Sequence, residues 1–423
     1  MTAGWLVSLT LFLVFIGVPV AFALGAVGLL IGYFAIGSSV LLSAPQIVFT
    51  SVNSFLLLAV PLFLLMSEIM NRSGITEELF DAAASWMRHL PAGLAVATVI
   101  TSAIGAAITG SSIANAATMS NVAIPALVRR GYDKRFVYGL IAGTGTLGIL
   151  IPPSIPLILY AAITGESVGR LFIAAIVPGL FLVGLMLVYV IARGLFGNIA
   201  PREERASWGE RWRATRRAFW GLLLPPVILG GMYTGIFTPT EAAAVGCAYA
   251  ALVAAFGRRI ALRDVGPILM RTVVTTSMVL LIAAGALILG HVVTVMQIPQ
   301  TVVRWVTEAG FSPLGFVIMV CALLILLGCI LEVISLIFIL VPVLFPVLLA
   351  LDIDPIWFAI LFVITLELAQ LTPPVGILLH VVRGIANAPI GQIVAGVWPF
   401  IVLLLVTLAV LIAFPQMTQW LRL

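Results

Sequence analysis

Charge is what this sequence has least of. Asp, Glu, Lys and Arg make up 9% of its 423 residues, against about a quarter in a soluble globular domain. No soluble fold of this length could hide the accompanying 62% of hydrophobic residues, so a soluble globular class is excluded. Lysine occurs once, at Lys134 inside RRGYDKR. A phosphate-binding GxxxxGK loop therefore cannot be placed, and the chain does not carry its own ATP drive. Cysteine occurs three times, at Cys247, Cys321 and Cys329, each inside an apolar run and without metal-ligand or redox spacing. Buried, inert thiols are the reading. No HExxH string occurs, which removes the commonest metalloprotease signature.

What is present is apolar length. Stretches of 17 or more apolar residues recur from residue 5 to residue 415, with no polar segment long enough for a separate domain. Residues 1–423 read as one all-α, polytopic membrane domain. The opening MTAGWLVSLTLF has no basic region before its apolar run and no clear cleavage site, so a retained membrane segment is expected. Up to residue 36 that segment is either one long tilted helix or two short ones.

The few charges orient the chain. Arg202, Arg205, Arg211, Arg213, Arg216 and Arg217 crowd a polar loop at about 198–217, which belongs in the cytoplasm. Counting spans outward from it brings the basic strings VRRGYDKR (128–135) and GRRIALRD (257–264) to the same side. The turn at Glu166, the segment 299–309 and the turn at Asp352 and Asp354 fall outside.

An internal repeat organises the rest. An offset of 221 residues superposes Pro125 on Pro346, Asp133 on Asp354, Pro152 and Pro153 on Pro373 and Pro374, and Pro178 on Pro399. Roughly one proline coincidence is expected at a given offset, and four occur. Repeat one covers about 55–197 and repeat two about 239–415. Five crossings separate Asp133 from Asp354, and an odd number makes the repeat inverted, the arrangement of secondary transporters with a midplane site.

Each half contains a helix that must break. GTGTLGILIPPS (143–154) and ELAQLTPPVG (367–376) put glycines or paired prolines inside an expected span. Unwound backbone at membrane depth is tolerated only beside protein or a water-filled cavity, where its freed carbonyls can coordinate a cation. GTGTLG also matches GxGxxG, but it follows an apolar helix rather than a strand. Before each break lies an apolar stretch interrupted once, at GSSIAN (110–115) and at LEVIS (331–335). Either pairs of full spans or re-entrant hairpins satisfy this pattern. Glu332 and Glu367 stand in apolar surroundings, where an unpaired carboxylate is costly, which makes both functional candidates. His291 and His380 read as residues near helix ends.

The strings TGSSIANAATMSNVAIPALVRRGYDKRF, IAGTGTLGILIPPSIPLILYA, FTPTEAAAVGCAYA and LTPPVG resemble the large membrane subunit of TRAP transporters, the DctM-like family. The resemblance covers essentially the whole chain. It implies inverted structural repeats with two re-entrant hairpins and two broken helices, an elevator-type, sodium-driven uptake system in the bacterial inner membrane, and an organic-acid substrate such as a dicarboxylate. It also implies two partners, a periplasmic solute-binding protein (DctP-like) and a small four-helix membrane subunit (DctQ-like), the latter expected as a separate polypeptide. No enzymatic activity and no cofactor beyond the coupling ion Na+ are implied. A single-component sodium-coupled anion symporter is the nearest rival.

By the same resemblance, sodium site one draws on Ser111, Ser112, Asn115, Gly143, Thr144, Gly145 and Thr146, whose hydroxyl, amide and carbonyl oxygens suit a hard cation. Sodium site two draws on Glu332, Ser335, Thr365, Gln370, Thr372 and Gly376. Pro152, Pro153, Pro373, Pro374 and Arg383 are the candidates to border the substrate, Arg383 by steering a carboxylate or by facing lipid headgroups.

Overall fold

A computed structural model describes residues 2–197, 199 and 204–419, and among these the regular structure is helical. The N-terminal part contains α1 (Thr2–Phe15), α2 (Val20–Ile36), α3 (Ser39–Val52), α4 (Ala59–Arg72) and α5 (Ile75–Met87). The first hairpin is α6 (Gly93–Thr109) and α7 (Ser112–Arg129), followed by the pieces α8 (Lys134–Gly145), α9 (Leu147–Leu150) and α10 (Ile155–Thr164). Next come α11 (Val168–Phe196), α12 (Trp208–Tyr233), α13 (Pro239–Phe256), α14 (Leu262–Val295) and α15 (Ile298–Glu308). The second hairpin is α16 (Pro313–Gly328) and α17 (Val333–Ala350), and α18 (Pro355–Leu371), α19 (Ile377–Ala386) and α20 (Ile390–Ala413) complete the chain.

Six of the described helical runs are long and apolar enough to cross a bilayer, and shorter apolar helices lie among them. The opening segment is two helices, because Gly17 at φ +91 and Pro19 stop α1 and restart the chain at Val20. The basic segment at 198–217 is not wholly a loop. Ser207 and Glu210 form a capping box that starts α12 at Trp208, so Arg211, Arg213, Arg216 and Arg217 are helical. Arg202 lies outside the described residues, and Arg205 is exposed just before the cap.

The repeat survives in packing. The offset carries α2 onto α13 and α4 onto the second half of α14; correspondingly, α2 lies against α14 while α13 lies against α4. Both seams use small residues: a methyl on Gly28 would come 2.9 Å from the Leu289 backbone nitrogen, and one on Gly246 would strike Met66. Such close approach replaces the hydrophobic drive that lipid does not supply.

Contacts at the helix ends fix the relative direction of the two broken helices. The Tyr160 hydroxyl, near the end of α10, donates to Pro355 O at the start of α18 (2.9 Å). At the other end, Gly139 in the first turns of α8 abuts Gly396 in the first turns of α20, just past the end of α19. The run 134–164 therefore starts where the run 355–386 finishes, and the two are antiparallel. The hairpins pair crosswise with them, α17 packing on α10 and α7 on α19. Equivalent aspartates open the two runs: Asp133 caps Phe136 N (3.0 Å) and Asp354 caps Ile356 N (2.9 Å).

The tip of the first hairpin meets the break midway along the 31-residue run Lys134–Thr164. Ile155 N donates to Gly110 O (3.4 Å), and Gly148 lies against Ser111 O so closely that no methyl fits. A tip docked halfway along a spanning run ends at membrane depth, so α6 and α7 form a re-entrant hairpin rather than two full spans. In the second repeat Gly328, at the end of α16, abuts Ala369 of α18 in the same way.

Candidate functional site

The first junction is assembled from both legs of the hairpin and the end of α8. α8 ends at Gly145 and the one-turn α9 carries the chain on to Leu150, so the carbonyls around Thr144 and Thr146 lie at a helix C-terminus, where the macrodipole favours positive charge. Thr144 O accepts from the Ser102 hydroxyl of α6 (2.9 Å) and from Asn115 Nδ2 of α7 (3.4 Å). Asn115 Nδ2 also reaches Ser102 Oγ (3.0 Å) and Ser102 O (3.2 Å). Thr146 O accepts from Ser112 Oγ (3.3 Å), and the Thr146 hydroxyl donates to Gly143 O (2.7 Å). Ser111 caps α7 by accepting from Ala114 N (3.4 Å).

All seven expected residues of site one are thus at one junction, but they do not present the same atoms. Gly143 and Gly145 are there to admit neighbours: a side chain on Gly143 would strike Phe400, and one on Gly145 would strike Ala116. Ser102 also belongs to the junction, although the motifs do not point to it. Its only sequence signal is the polar row Thr98, Thr101, Ser102 on an otherwise apolar helix, and all three are fully buried. The junction offers hydroxyl, amide and carbonyl oxygens with lone pairs beyond those the hydrogen bonds use.

The second junction is less closed. Glu332 stands at the N-cap of α17 with its Oε2 buried and unpartnered, and Ser335 Oγ and Gln370 Nε2 are also buried without partners. Thr365 turns elsewhere, donating to Leu361 O (2.7 Å) and facing Cys321 of α16 (3.5 Å). The Thr372 hydroxyl donates back to Leu368 O (2.6 Å). Gly376, at φ +42, passes so close to Gln370 O that a methyl would sit 3.2 Å from it. Glu367 is fully buried with neither carboxyl oxygen hydrogen-bonded.

Between the two hairpin tips lies a cavity of about 370 Å³. The first repeat lines it with Gly110, Ser111 and Ser112 at the start of α7 and with Ile155 and Pro156 at the start of α10. The second repeat contributes Glu332 and Gln370, and the flanking helices α4 and α14 contribute Ser67, Glu68 and Thr275. The first turn of α7 therefore opens onto the cavity, an arrangement that attracts an anion, whereas at α10 the Ile155 N–H is used by Gly110 O and Pro156 has no N–H to offer. Pro152, Pro153, Pro373, Pro374 and Arg383 are not among its lining residues. Pro152 and Pro153 are buried at the break, and Arg383 is exposed on α19. Among the described residues no cluster of three His, Cys, Asp or Glu forms.

GESVG, residues 165–169, fits the GxSxG hydrolase pattern by its letters. Ser167 is the N-cap of α11, accepting from Arg170 N (3.4 Å) after a helix rather than a strand, so the elbow geometry of a nucleophile is missing.

Outside the membrane-spanning runs, α5 is fastened to α12. The Arg211 guanidinium lies over the rings of Trp86 (5.2 Å) and Trp208 (5.3 Å), and Trp86 Nε1 donates to Thr215 Oγ1 (2.9 Å). The backbone N–H of Ser207, with lesser help from Arg88, holds the exposed Glu210 carboxyl below its ordinary range, whereas partial burial raises that of Asp81 against the pull of Arg217.

The family described as "Tripartite ATP-independent periplasmic transporter, DctM component" matches residues 6–417. A C4-dicarboxylate TRAP transporter large permease protein of Pseudomonas aeruginosa is 41% identical over 88% of this chain and 87% of its own length. An isethionate TRAP transporter permease protein of Oleidesulfovibrio alaskensis is 36% identical over 97% of this chain and 64% of that one. Among solved structures, the Alcanivorax borkumensis YdaH transporter superposes with a TM-score of 0.62 at 15% identity, covering 90% of this chain and 89% of that one, a likeness of fold alone.

Proposed function

The chain belongs to the DctM component family of tripartite ATP-independent periplasmic transporters, and on that premise we propose that it is the large permease subunit of a sodium-driven uptake system for an organic acid. Membership makes it a multi-pass membrane transport component and not an enzyme. The substrate does not follow from membership, since relatives carry the names of different acids.

One observation carries the reading: each break meets a hairpin tip, and both tips border the same cavity. A sodium ion among Thr144 O, Thr146 O, Ser102, Ser112 and Asn115 would tie α6 and α7 to the end of α8. That would hold the start of α7 where its N–H groups and the Ser111 hydroxyl meet a carboxylate. Ser335, with backbone oxygens at the end of α18, would serve a second cation, leaving the Glu332 carboxylate and the Gln370 amide to the cavity. The tips and broken helices would move together against α4 and α14, carrying the occupied cavity across in an elevator stroke. The small membrane subunit and the periplasmic binding protein supply docking and capture, for which this chain has no soluble domain. The bacterial inner membrane is the setting this requires.

The test is uptake of a panel of organic acids into proteoliposomes containing the chain with its two partners, with and without an inward sodium gradient. Concentrative uptake only under the gradient supports the proposal. Uptake that is indifferent to sodium, or equally strong without partners, removes it, the second outcome favouring a single-component symporter.

A further inference from the structure

We propose that the cavity is built for a zwitterionic organic acid, one carrying a cationic nitrogen group as well as its carboxylate. The inference rests on the carboxylate reading above and narrows it.

The cavity has no Arg, Lys or His among its lining residues, yet it has two carboxylates, Glu68 on α4 and Glu332 at the tip of the second hairpin. Glu68 takes part in no hydrogen bond or ion pair among the described residues. Glu332 keeps Oε2 buried and unpartnered. Gln370, only 3% exposed, also lines the cavity with its Nε2 unpartnered. A buried amide and a buried carboxylate oxygen without protein partners are costly unless something polar completes them.

The charge is unevenly divided. The first repeat offers the N-terminus of α7 and the hydroxyl of Ser111, both suited to a carboxylate. The second repeat differs at the equivalent place, because Glu332 stands 221 residues after Ser111 and its negative charge occupies the start of α17. A dianion that put one carboxylate on the first tip would bring its second toward Glu68 and Glu332, where like charges repel in a poorly solvated space. An ammonium or amidinium group placed there meets two carboxylates and needs no counter-ion. Gln370 would then donate through Nε2 to a carboxylate oxygen of the substrate or of Glu332.

The test uses the purified full chain with its small membrane subunit, at saturating sodium, and calorimetric binding of 4-aminobutanoate, succinate and butanoate. These probes share a four-carbon length and differ in the group opposite the carboxylate. The proposal expects 4-aminobutanoate to bind at least about tenfold more tightly than succinate, the scale of one charge-assisted hydrogen bond. Glu68→Gln should erase most of that preference while leaving butanoate binding in place, which also shows that the variant is folded, and Glu68→Asp should retain it. Succinate binding as well as or better than 4-aminobutanoate overturns the proposal and leaves the carboxylate reading standing. An unchanged preference in both Glu68→Gln and Glu332→Gln overturns it too. Binding of none of the three acids removes the carboxylate reading itself, and the proposal with it.

Discussion

Replacing Asn115 by Ala is the sharpest perturbation of the proposed first ion site. Asn115 is 1% exposed, and its amide nitrogen lies 3.0 Å from Ser102 Oγ, 3.2 Å from Ser102 O and 3.4 Å from Thr144 O. Truncation removes an amide oxygen that could face a cation, and it strips a donor from two buried carbonyls. Ser102 still donates to Thr144 O at 2.9 Å, so that carbonyl is not orphaned and the junction should stay folded. Leaving one buried polar group short costs about 1–3 kcal/mol, or roughly 5- to 150-fold in ion affinity. The assay is initial uptake against sodium concentration, with assembly checked separately. Half-saturating sodium should rise by a factor in that range while the maximal rate is largely recovered at high sodium. Thr146→Val should move it less, because the hydroxyl is spent on Gly143 O and it is the Thr146 carbonyl that faces Ser112. An unchanged half-saturation for Asn115→Ala would refute the placement and make GSSIAN a packing turn.

Gly110→Ala puts a methyl 2.7 Å from Pro153 O at φ +59, so it should abolish uptake or lower the melting temperature sharply, measured by thermal denaturation of the purified protein. Arg211→Ala removes the guanidinium from over the edge-to-face pair Trp86 and Trp208, for which about 0.5–1 kcal/mol per exposed ring contact is expected; melting should fall modestly with sodium dependence unchanged. Glu210 has its carboxyl lowered by the Ser207 N–H, so its stabilisation is present above the ordinary value of 4.5 and is lost as pH falls through the lower folded-state value. The difference in melting temperature between the wild type and Glu210→Ala should therefore shrink on acidification, and a difference that grows would contradict the assignment. Cysteines placed at Arg205 and at Asp352 should label from opposite faces in spheroplasts, and labelling from one face would break the inverted topology.

Much of this architecture is legible in the sequence because it depends on local rules. Paired prolines cannot continue a helix, so residue identities place the breaks within 143–154 and 367–376. The glycines at 143, 145 and 148 nevertheless stay helical and residues 367–371 belong to α18, which leaves the interruptions at 151–154 and 372–376. A 221-residue offset exposes the duplication through the same prolines. Hydropathy does not separate hairpins from paired spans, because both options have the same apolar profile; the contact of Gly110 with the break at Pro153 does. Ser102 is eight residues before the tip and 42 before Thr144, a separation with no periodic signature. Glu68 joins the cavity from a different helix layer and reads in sequence as an ordinary polar residue in α4. The paired prolines do interrupt their helices, but none of the four lines the cavity: Pro152 and Pro153 are buried at the break and Pro374 is exposed. Arg383 shows the limit of charge as a guide, since the cavity lining contains no basic side chain at all.

The central claim is that an ion bound at the tip-and-break junction completes the organic-acid site, and thermodynamic linkage tests it without any gradient. Bind the transported acid to the purified membrane complex at low and at saturating sodium, and titrate sodium without and with saturating acid. The account predicts that sodium tightens acid binding and that the acid tightens sodium binding by the same factor, about 5- to 150-fold for a coupling of 1–3 kcal/mol. An acid affinity that does not change with sodium would contradict it.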